Sequence, residues 1–403
     1  MSSINISETG LKAYQTALGV VADNLANAGT TGFKSESPIF ETLLGETLGG
    51  SSVGGGVLAS GVERDFSEGS IIQSNNPLAM AINGNGFFVY QLNGETVYSR
   101  NGDVSIDGAG NLVGPGGALL MGFPLNAAGL PAGALQPIVV PSALNAPSAT
   151  TKTSFSGNLD ASSPVIVSGT PIDPSNPATF SSSGSVRVFD SLGNSHIVTF
   201  YFQNNGSGQW SWLATFDGSA AGLGGNTGNF QFNSSGQIVS GATPPPFTAA
   251  PPGAGPLSIA FDFSQITQFA AQNSFSGNPD GHAAGTVTGI QTDANGVVSL
   301  KFSNGETVAI AQVALAEFSG QQSLQMAPGG FFQETTGSGP AAIGVPGAGG
   351  AGTISPSAIE ESNVSTSDQL VNLVTFERFY EANAKALQTS NNTEAYLENL
   401  PLN

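Results

Sequence analysis

The sequence has no cysteine and only two histidines, and these shortages exclude several kinds of chemistry. Without cysteine the chain has no disulfide framework, no thiolate metal site and no cysteine nucleophile. His196 and His282 are too few for most zinc sites and most acid–base enzymes. No set of residues stands out as catalytic, cofactor-binding or metal-binding. We therefore expect a structural or binding protein without a cofactor, and an enzyme is the least favoured class.

Basic residues are also scarce. Nine Lys and Arg stand against 28 Asp and Glu, which gives a formal net charge of −19. Nine scattered bases cannot form the basic stripe that nucleic acid requires. No run approaches the ~18 apolar residues of a membrane span, and no apolar run follows the first base, Lys12, as it would in a signal peptide. We expect no nucleic-acid partner, no membrane insertion and no general secretory route.

Two amphipathic helices are predicted, one near each end of the chain. The first runs from a Ser7 N-cap to about Gly29, and the second begins at Ser365 or Thr366 and weakens beyond Asn391. Large side chains recur three and four residues apart in the first helix, which is the a/d stripe of a coiled coil. In the second helix they line one side, and Glu377 interrupts the stripe. The stripe residues are Leu11, Tyr14, Leu18, Val21 and Leu25 in the first helix, and Leu370, Leu373, Val374, Tyr380, Ala384 and Leu387 in the second.

Such helices are marginal alone, because helix nucleation costs more than a few turns recover. Many copies packed side by side would bury the stripes fully, and we therefore predict self-assembly through these faces. A β domain of the same chain that covers the helices is the alternative.

The region between the helices has the pattern of β-strands. Ten Asn-Gly or Asp-Gly dipeptides punctuate it, and these are the strongest short-range hairpin signal. Apolar residues alternate beside Asn93-Gly94 and Asn304-Gly305. Three stretches at 45–61, 244–256 and 337–356 are rich in Gly, Ser, Pro or Ala and are predicted to be loose. Since the first and third flank the β region, the chain is expected to leave a helical base, build β domains and return.

Several segments resemble the axial proteins of the bacterial flagellum, the family of rod and hook proteins. NLANAGTTGFK, at 24–34, is similar to the family signature after the first helix, although Asp23 stands where another Asn is common. Its motif residues are Asn24, Asn27, Gly32, Phe33 and Lys34.

Other stretches match the family in the right order along the chain. They lie at 65–88, 98–113, 303–318 and 360–387, the last of which contains the motif residue Asn363. VFDSLGNSHIVTFYF, at 188–202, is similar to the central domain of hook proteins, an insert that the shorter rod proteins lack.

This resemblance implies a mainly β fold with a terminal α-helical coiled coil, built from nested domains. The implied domains are an inner helical domain at 1–44 and 358–403, a Gly/Ser-rich connection at 45–64, a middle β domain at 65–144 and 285–357, and an inserted outer β domain, barrel-like or sandwich-like, at 145–284.

The resemblance also implies a function. The chain would be a structural subunit of the flagellar hook, a hollow flexible tube that passes torque from motor and rod to filament as a universal joint. Its partners would be its own copies, the rod, hook-cap and hook–filament junction proteins, and the flagellar export apparatus. It would be extracellular and exported through the flagellum's own type III channel without a cleaved signal peptide. The alternatives are a distal rod subunit of the same family, or a secreted β-rich adhesin or binding module.

Overall fold

The computed structural model describes residues 3–48, 51–126, 128–141, 144–167 and 169–398. The fold is mainly β with one α-helix near each end, which confirms the predicted fold class. The described residues divide into two compact units. The first unit draws on Met1–Ser142, Gly289–Leu300 and Thr307–Asn403, and the second on Ala143–Thr288 and Lys301–Glu306.

The two helices of the first unit are longer than the stripes that predicted them. α1 spans Ser3–Ala26 and α2 spans Thr366–Glu398. Ser7, the predicted N-cap of α1, lies inside the helix and is buried. Ser365 does cap α2, because its Oγ accepts a hydrogen bond from the backbone N–H of Asp368 at 3.4 Å. α2 also continues past Asn391, where the stripe weakens.

A β-hairpin follows α1 where the sequence predicts a loose connection at 45–61. Its strands are β1 (Glu36–Leu48) and β2 (Ser51–Arg64), which pair antiparallel with Glu36 opposite Arg64. β2 lies against α1: Gly56 has φ 109°, and a Cβ there would come within 2.1 Å of Thr9 Oγ1. The glycine therefore permits close strand–helix packing, and the prediction of a loose stretch is corrected to a hairpin.

The remaining strands of the first unit before the second unit are short. They are β3 (Ile71–Gln73), β4 (Met80–Asn83), β5 (Phe87–Leu92), β6 (Glu95–Ser99), β7 (Ser105–Ile106), β8 (Leu112–Val113), β9 (Leu119–Pro124) and β10 (Gln136–Pro137). The hairpin predicted at Asn93-Gly94 is confirmed, since β5 pairs with β6 and both turn residues have positive φ, 53° and 89°.

Among the described residues, nine strands lie wholly within the second unit. They are β11 (Lys152–Asp160), β12 (Ser182–Phe189), β13 (Ser195–Gly206), β14 (Gln209–Phe216), β15 (Thr227–Phe232), β16 (Ile238–Ser240), β17 (Phe247–Ala249), β18 (Leu257–Phe269) and β19 (Ser274–Pro279). They form a five-stranded sheet in the order β12-β13-β14-β15-β16 and a four-stranded sheet in the order β17-β18-β11-β19.

Apolar side chains from both sheets of the second unit share one core. Trp210 and Trp212 are fully buried there, and Phe155 stacks on Phe263 with ring centroids 4.7 Å apart. Alternate residues of each strand supply this core, as the period of two requires. The second unit is therefore sandwich-like.

The chain then completes the first unit with β20 (Val287–Thr292), β21 (Val297–Phe302), β22 (Thr307–Val313), β23 (Leu315–Glu317), β24 (Gln325–Ala327), β25 (Phe331–Gln333), β26 (Ala342–Gly344), β27 (Thr353–Pro356) and β28 (Ala358–Glu360). A 13-stranded sheet takes in most of them, and β27 and β28 pair with β4 and β3. The stretches at 244–256 and 337–356, predicted to be loose, thus hold β17, β26 and β27.

Candidate functional site

Helix α1 packs against both α2 and β2, and several of its small side chains are buried. Ala13 and Ala17 are buried, as is Val21. At Gly10 a Cβ would lie 2.5 Å from Asn383 Oδ1 of α2, so the missing side chain lets the helices approach closely. The buried face of α1 is therefore offset from most of the predicted stripe.

The predicted stripe residues consequently differ in exposure. Those that are buried or half-buried are Leu11, Tyr14, Leu18 and Val21 of α1 and Leu373, Ala384 and Leu387 of α2. Those that are exposed are Leu25, Leu370, Val374 and Tyr380. Their common role in self-assembly stays a prediction.

The exposed part of α2 forms an apolar surface. Its residues, together called the α2 surface, are Leu370, Val371, Val374, Phe379 and Tyr380. Val371 is 66% exposed and Val374 47% exposed. No residue of α2 from Thr366 to Tyr396 is fully buried. Large apolar side chains exposed in this number on one helix are candidates for contact with other copies.

An aromatic cluster continues from the α2 surface toward the hairpin. Tyr14 of α1 lies 5.6 Å from Phe40 of β1 and 5.2 Å from Phe379 of α2, measured between ring centroids. Phe376 completes it at 6.1 Å from Tyr14. The three phenylalanines are not among the predicted stripe residues, although Phe376 follows the stripe residue Leu373 by three positions.

A buried ion cluster joins the two ends of the chain. Lys34 Nζ donates hydrogen bonds to Glu360 Oε1 at 2.6 Å and to the carbonyl of Ser67 at 2.5 Å, and both charged side chains are fully buried. Arg100 Nη1 lies 3.5 Å from Glu360 Oε2. Burial lowers the pKa of Lys34, and the Glu360 charge acts in the opposite direction. The cluster thus holds two cations against one carboxylate.

Two motif asparagines bind backbone beside this ion cluster. Asn24 Nδ2 donates to the Glu36 carbonyl at 2.6 Å, and the Glu36 N–H donates to Asn24 Oδ1 at 2.8 Å. Asn363 Oδ1 accepts from the Ser35 N–H at 2.7 Å, and its Nδ2 donates to the Asp65 carbonyl at 2.8 Å. These amides satisfy backbone groups that have no strand partner.

The other motif residues lie along the same turn. Gly32 has φ 70°, its N–H donates to the Glu360 carbonyl, and a Cβ there would lie 2.6 Å from the backbone nitrogen of Asn101. Phe33 is half-buried, and its carbonyl accepts from the Asn363 N–H. Asn27 bonds only locally, to Asp23 of α1 and to Thr30 of the following turn. Except for Asn27, the motif therefore builds the junction of the chain ends.

Glu360 and Arg100 are not among the predicted site residues. Arg100 is one of only nine basic residues and sits in a family-like stretch, but neither fact pairs it with Glu360. Among the described residues, no group of three or more His, Asp or Glu side chains is placed to hold a metal ion. Within the same residues, neither helix is long and apolar enough to cross a membrane.

The second unit has a charge cluster of its own around His196. Its Nδ1 lies 2.7 Å from Asp217 Oδ2, and its Nε2 lies 3.3 Å from Asp190 Oδ2. Burial lowers the pKa of His196, but hydrogen bonds and the charges of Asp217 and Asp190 outweigh it and raise the pKa overall. Burial acts to raise the pKa of Asp190, but hydrogen bonds from Asn194 and His196 bring it down to about 2.

The stability of the second unit is therefore expected to depend on pH. The raised pKa of His196 stabilises the folded unit. This stabilisation is complete below pH ~6.5, the usual pKa of histidine, and is lost as the pH rises through the higher pKa of the folded state. The lowered pKa of Asp190 contributes stability that is lost as pH falls from ~3.9 toward about 2.

Trp210 and Trp212 both lie in this unit, so their fluorescence follows its melting. We expect its melting temperature to fall by about 3 °C between pH 6 and pH 8. His196→Gln should remove this dependence, and His282→Gln should keep it. An unchanged pH slope in His196→Gln would disprove the assignment.

Four family models match the chain. They are "Flagella basal body rod protein" over residues 4–34, "Flagellar hook protein FlgE/F/G D1 domain" over 81–158, "Flagellar basal body protein FlaE D2 domain" over 158–282 and "Flagellar basal body rod FlgEFG protein C-terminal" over 355–400.

Whole proteins are similar over nearly the full length. The flagellar hook protein FlgE of Escherichia coli K12 is 33% identical over 97% of this chain and 98% of its own length. The FlgE of Salmonella typhimurium is 33% identical over 99% of this chain and 100% of its own length. The FlgE of Rhizobium meliloti is 31% identical over 97% of each chain. The crystal structure of Helicobacter pylori flagellar hook protein FlgE2 is similar in fold, with a TM-score of 0.51 at 15% identity over 70% of this chain and 98% of that one.

Proposed function

The chain belongs to the flagellar hook protein family and is a structural subunit of the hook, and from this premise we propose how it assembles. Many copies stack into a hollow, curved and flexible tube that passes torque from the motor and rod to the filament as a universal joint. The α2 surface, with the stripe residues of α1, is the contact that holds neighbouring copies together.

The exposure of the α2 surface is the observation that carries this proposal. Five large apolar side chains of one helix stay in water in the single chain, although the same chain buries apolar cores in both units. Transfer of such area from water contributes about 25 cal/mol per Å². Packing of helices from neighbouring copies would remove this area from water, and the β units do not need it to fold.

We assign the domains of the proposed subunit as the sequence predicts them. Residues 1–44 and 358–403 form the inner layer, 65–144 and 285–357 the middle β domain, and 145–284 the outer domain. The stretch at 45–64 belongs with the inner layer as a rigid hairpin, because β2 packs on α1. The rod, hook-cap and hook–filament junction proteins are the proposed partners, and the flagellar export channel is the proposed route.

A distal rod subunit is the alternative within the family. The match to the FlaE D2 domain over residues 158–282, and coverage of nearly the full length of hook relatives, favour the hook. An adhesin or binding module predicts a stable monomer with a saturable ligand, whereas a hook subunit predicts polymers.

Polymer formation by the purified chain tests the proposal. Copies that each carry a charge of −19 repel one another, and added salt shortens the range of that repulsion to ~3 Å at 1 M. Sulfate also strengthens apolar burial. We expect tubes of variable length in negative-stain images, with a yield that rises with ammonium sulfate at neutral pH. Monomer at every sulfate concentration would contradict the proposal.

A further inference from the structure

A polar groove crosses the outer face of the five-stranded sheet in the second unit. It consists of two adjoining cavities of about 560 and 330 Å³ that share Ser211 and Asn229. The loop at 169–172 forms one wall of the larger cavity. Pockets of this size are large enough for a small ligand. The floor, called the amide floor, consists of Gln203, Asn205, Ser211, Asn229 and Gln231.

Hydrogen bonds fix the orientation of the amide floor. Asn205 Nδ2 donates to Ser211 Oγ at 2.6 Å, and Ser211 Oγ donates to Asn229 Oδ1 at 2.9 Å. Because Asn229 accepts through its oxygen, its Nδ2 is left to donate elsewhere. Gln231 Nε2 donates to the carbonyls of Ser207 and Phe232 at 3.3 and 3.1 Å, so Gln231 Oε1 is left to accept. The floor therefore offers an acceptor and a donor that are already oriented.

No charged residue lines either cavity. The absence of carboxylates is notable in a chain with 28 acids and 9 bases, and it means that the groove does not select a cation. The absence of Lys and Arg means that the groove gives no counter-charge to a phosphate or a carboxylate. Leu213 of β14 and Ile172 of the wall add apolar contact area. A ligand that complements this groove is neutral, carries groups that both donate and accept hydrogen bonds, and has an apolar face.

We propose that the polar groove binds carbohydrate, one or two units of a neutral sugar. A sugar hydroxyl can donate to Gln231 Oε1 and accept from Asn229 Nδ2, and the C–H face of a ring can pack on Leu213. This site is independent of the α2 surface, because its residues all lie in the second unit.

Titration of the full-length chain with four neutral disaccharides tests the proposal: maltose, cellobiose, lactose and N,N′-diacetylchitobiose. Trp210 and Trp212, the only tryptophans, each line one cavity, so their fluorescence reports occupancy. We expect saturable binding of at least one disaccharide, with a Kd of about 1 mM. In a second titration, the matching polysaccharide should bind more tightly if the natural ligand is a polymer. Glucose 6-phosphate should not bind.

Matched variants identify the site. Asn229→Ala removes an exposed amide from the floor and should weaken binding about fivefold, since one hydrogen bond is lost. Gln237→Ala removes an exposed amide outside the groove and should change nothing. If Asn229→Ala does not fold, Ser211→Ala replaces it. The absence of saturation with all four sugars up to about 50 mM, or equal affinity in the floor variant and the wild type, overturns the proposal.

Discussion

Replacing Glu360 with alanine is expected to destabilise the first unit by about 3–5 kcal/mol. The substitution leaves Lys34 and Arg100 buried without a countercharge, and it also removes the acceptor of the Gly69 N–H. A loss of this size lowers the melting temperature by about 10 °C for a unit of this length. Calorimetry of the full chain measures it, and tryptophan fluorescence shows that the second unit still melts as in the wild type.

Glu361→Ala is the matched control for this substitution. Glu361 is the next residue along and is exposed, so the same loss of a carboxylate should change the melting temperature by less than about 1 °C. Adding Lys34→Met to Glu360→Ala removes one of the two unpaired cations and should restore part of the stability. If Glu360→Ala melts like Glu361→Ala, the ion cluster does not hold the chain ends together.

Val374→Asp is expected to abolish polymers while leaving each subunit folded. Val374 is 47% exposed in the single chain, so a carboxylate there costs little until copies pack together. Burying that charge without a partner in each contact costs several kcal/mol, and every 1.4 kcal/mol is tenfold in the equilibrium constant. The protein concentration needed for tubes should rise at least ~100-fold, as measured by sedimentation and negative-stain imaging.

Asn392→Asp is the control for this charge. It adds the same carboxylate at an exposed polar position of α2 beyond the α2 surface, and should leave the polymer yield nearly unchanged. Leu18→Asp is a poorer test, since Leu18 is half-buried and its substitution also disturbs the single chain. Tubes formed by Val374→Asp at the wild-type concentration would show that the α2 surface faces solvent in the hook.

Local patterns in the sequence predicted the hairpins well. Asn93-Gly94 determines a turn through two positive φ angles, and Tyr90 pairs with Val97 across it. These predictions succeed because the interacting residues are close in sequence and the turn chemistry is specific.

Patterns of hydrophobicity predicted the terminal helices but not the face of α1 that is buried within the chain. The period of the large side chains indicates Leu11 and Leu18, whereas Ala13 and Ala17 are buried and α2 approaches the bare backbone of Gly10. Close approach depends on small size, which an apolar stripe does not reveal. The Gly-rich stretch at 45–61 was misjudged for the same reason, because Gly56 fits beneath Thr9.

The ion cluster could not be inferred from the sequence at all. Lys34 and Glu360 lie 326 positions apart, and Arg100 belongs to a third segment. No periodicity links such residues, and a buried lysine is rare enough that composition argues against it. The family signature pointed to Lys34 without indicating its partner.

The separation between Lys34 and Glu360 also determines when the first unit can become stable. A chain that emerges from a ribosome or a channel with its amino end first presents Lys34 and Arg100 long before residue 360 arrives. Until then, desolvation of both cations has no compensating anion, and the closure of a loop of this length adds an entropic barrier. Closure of the core around Lys34 and Arg100 is therefore disfavoured until Glu360 arrives.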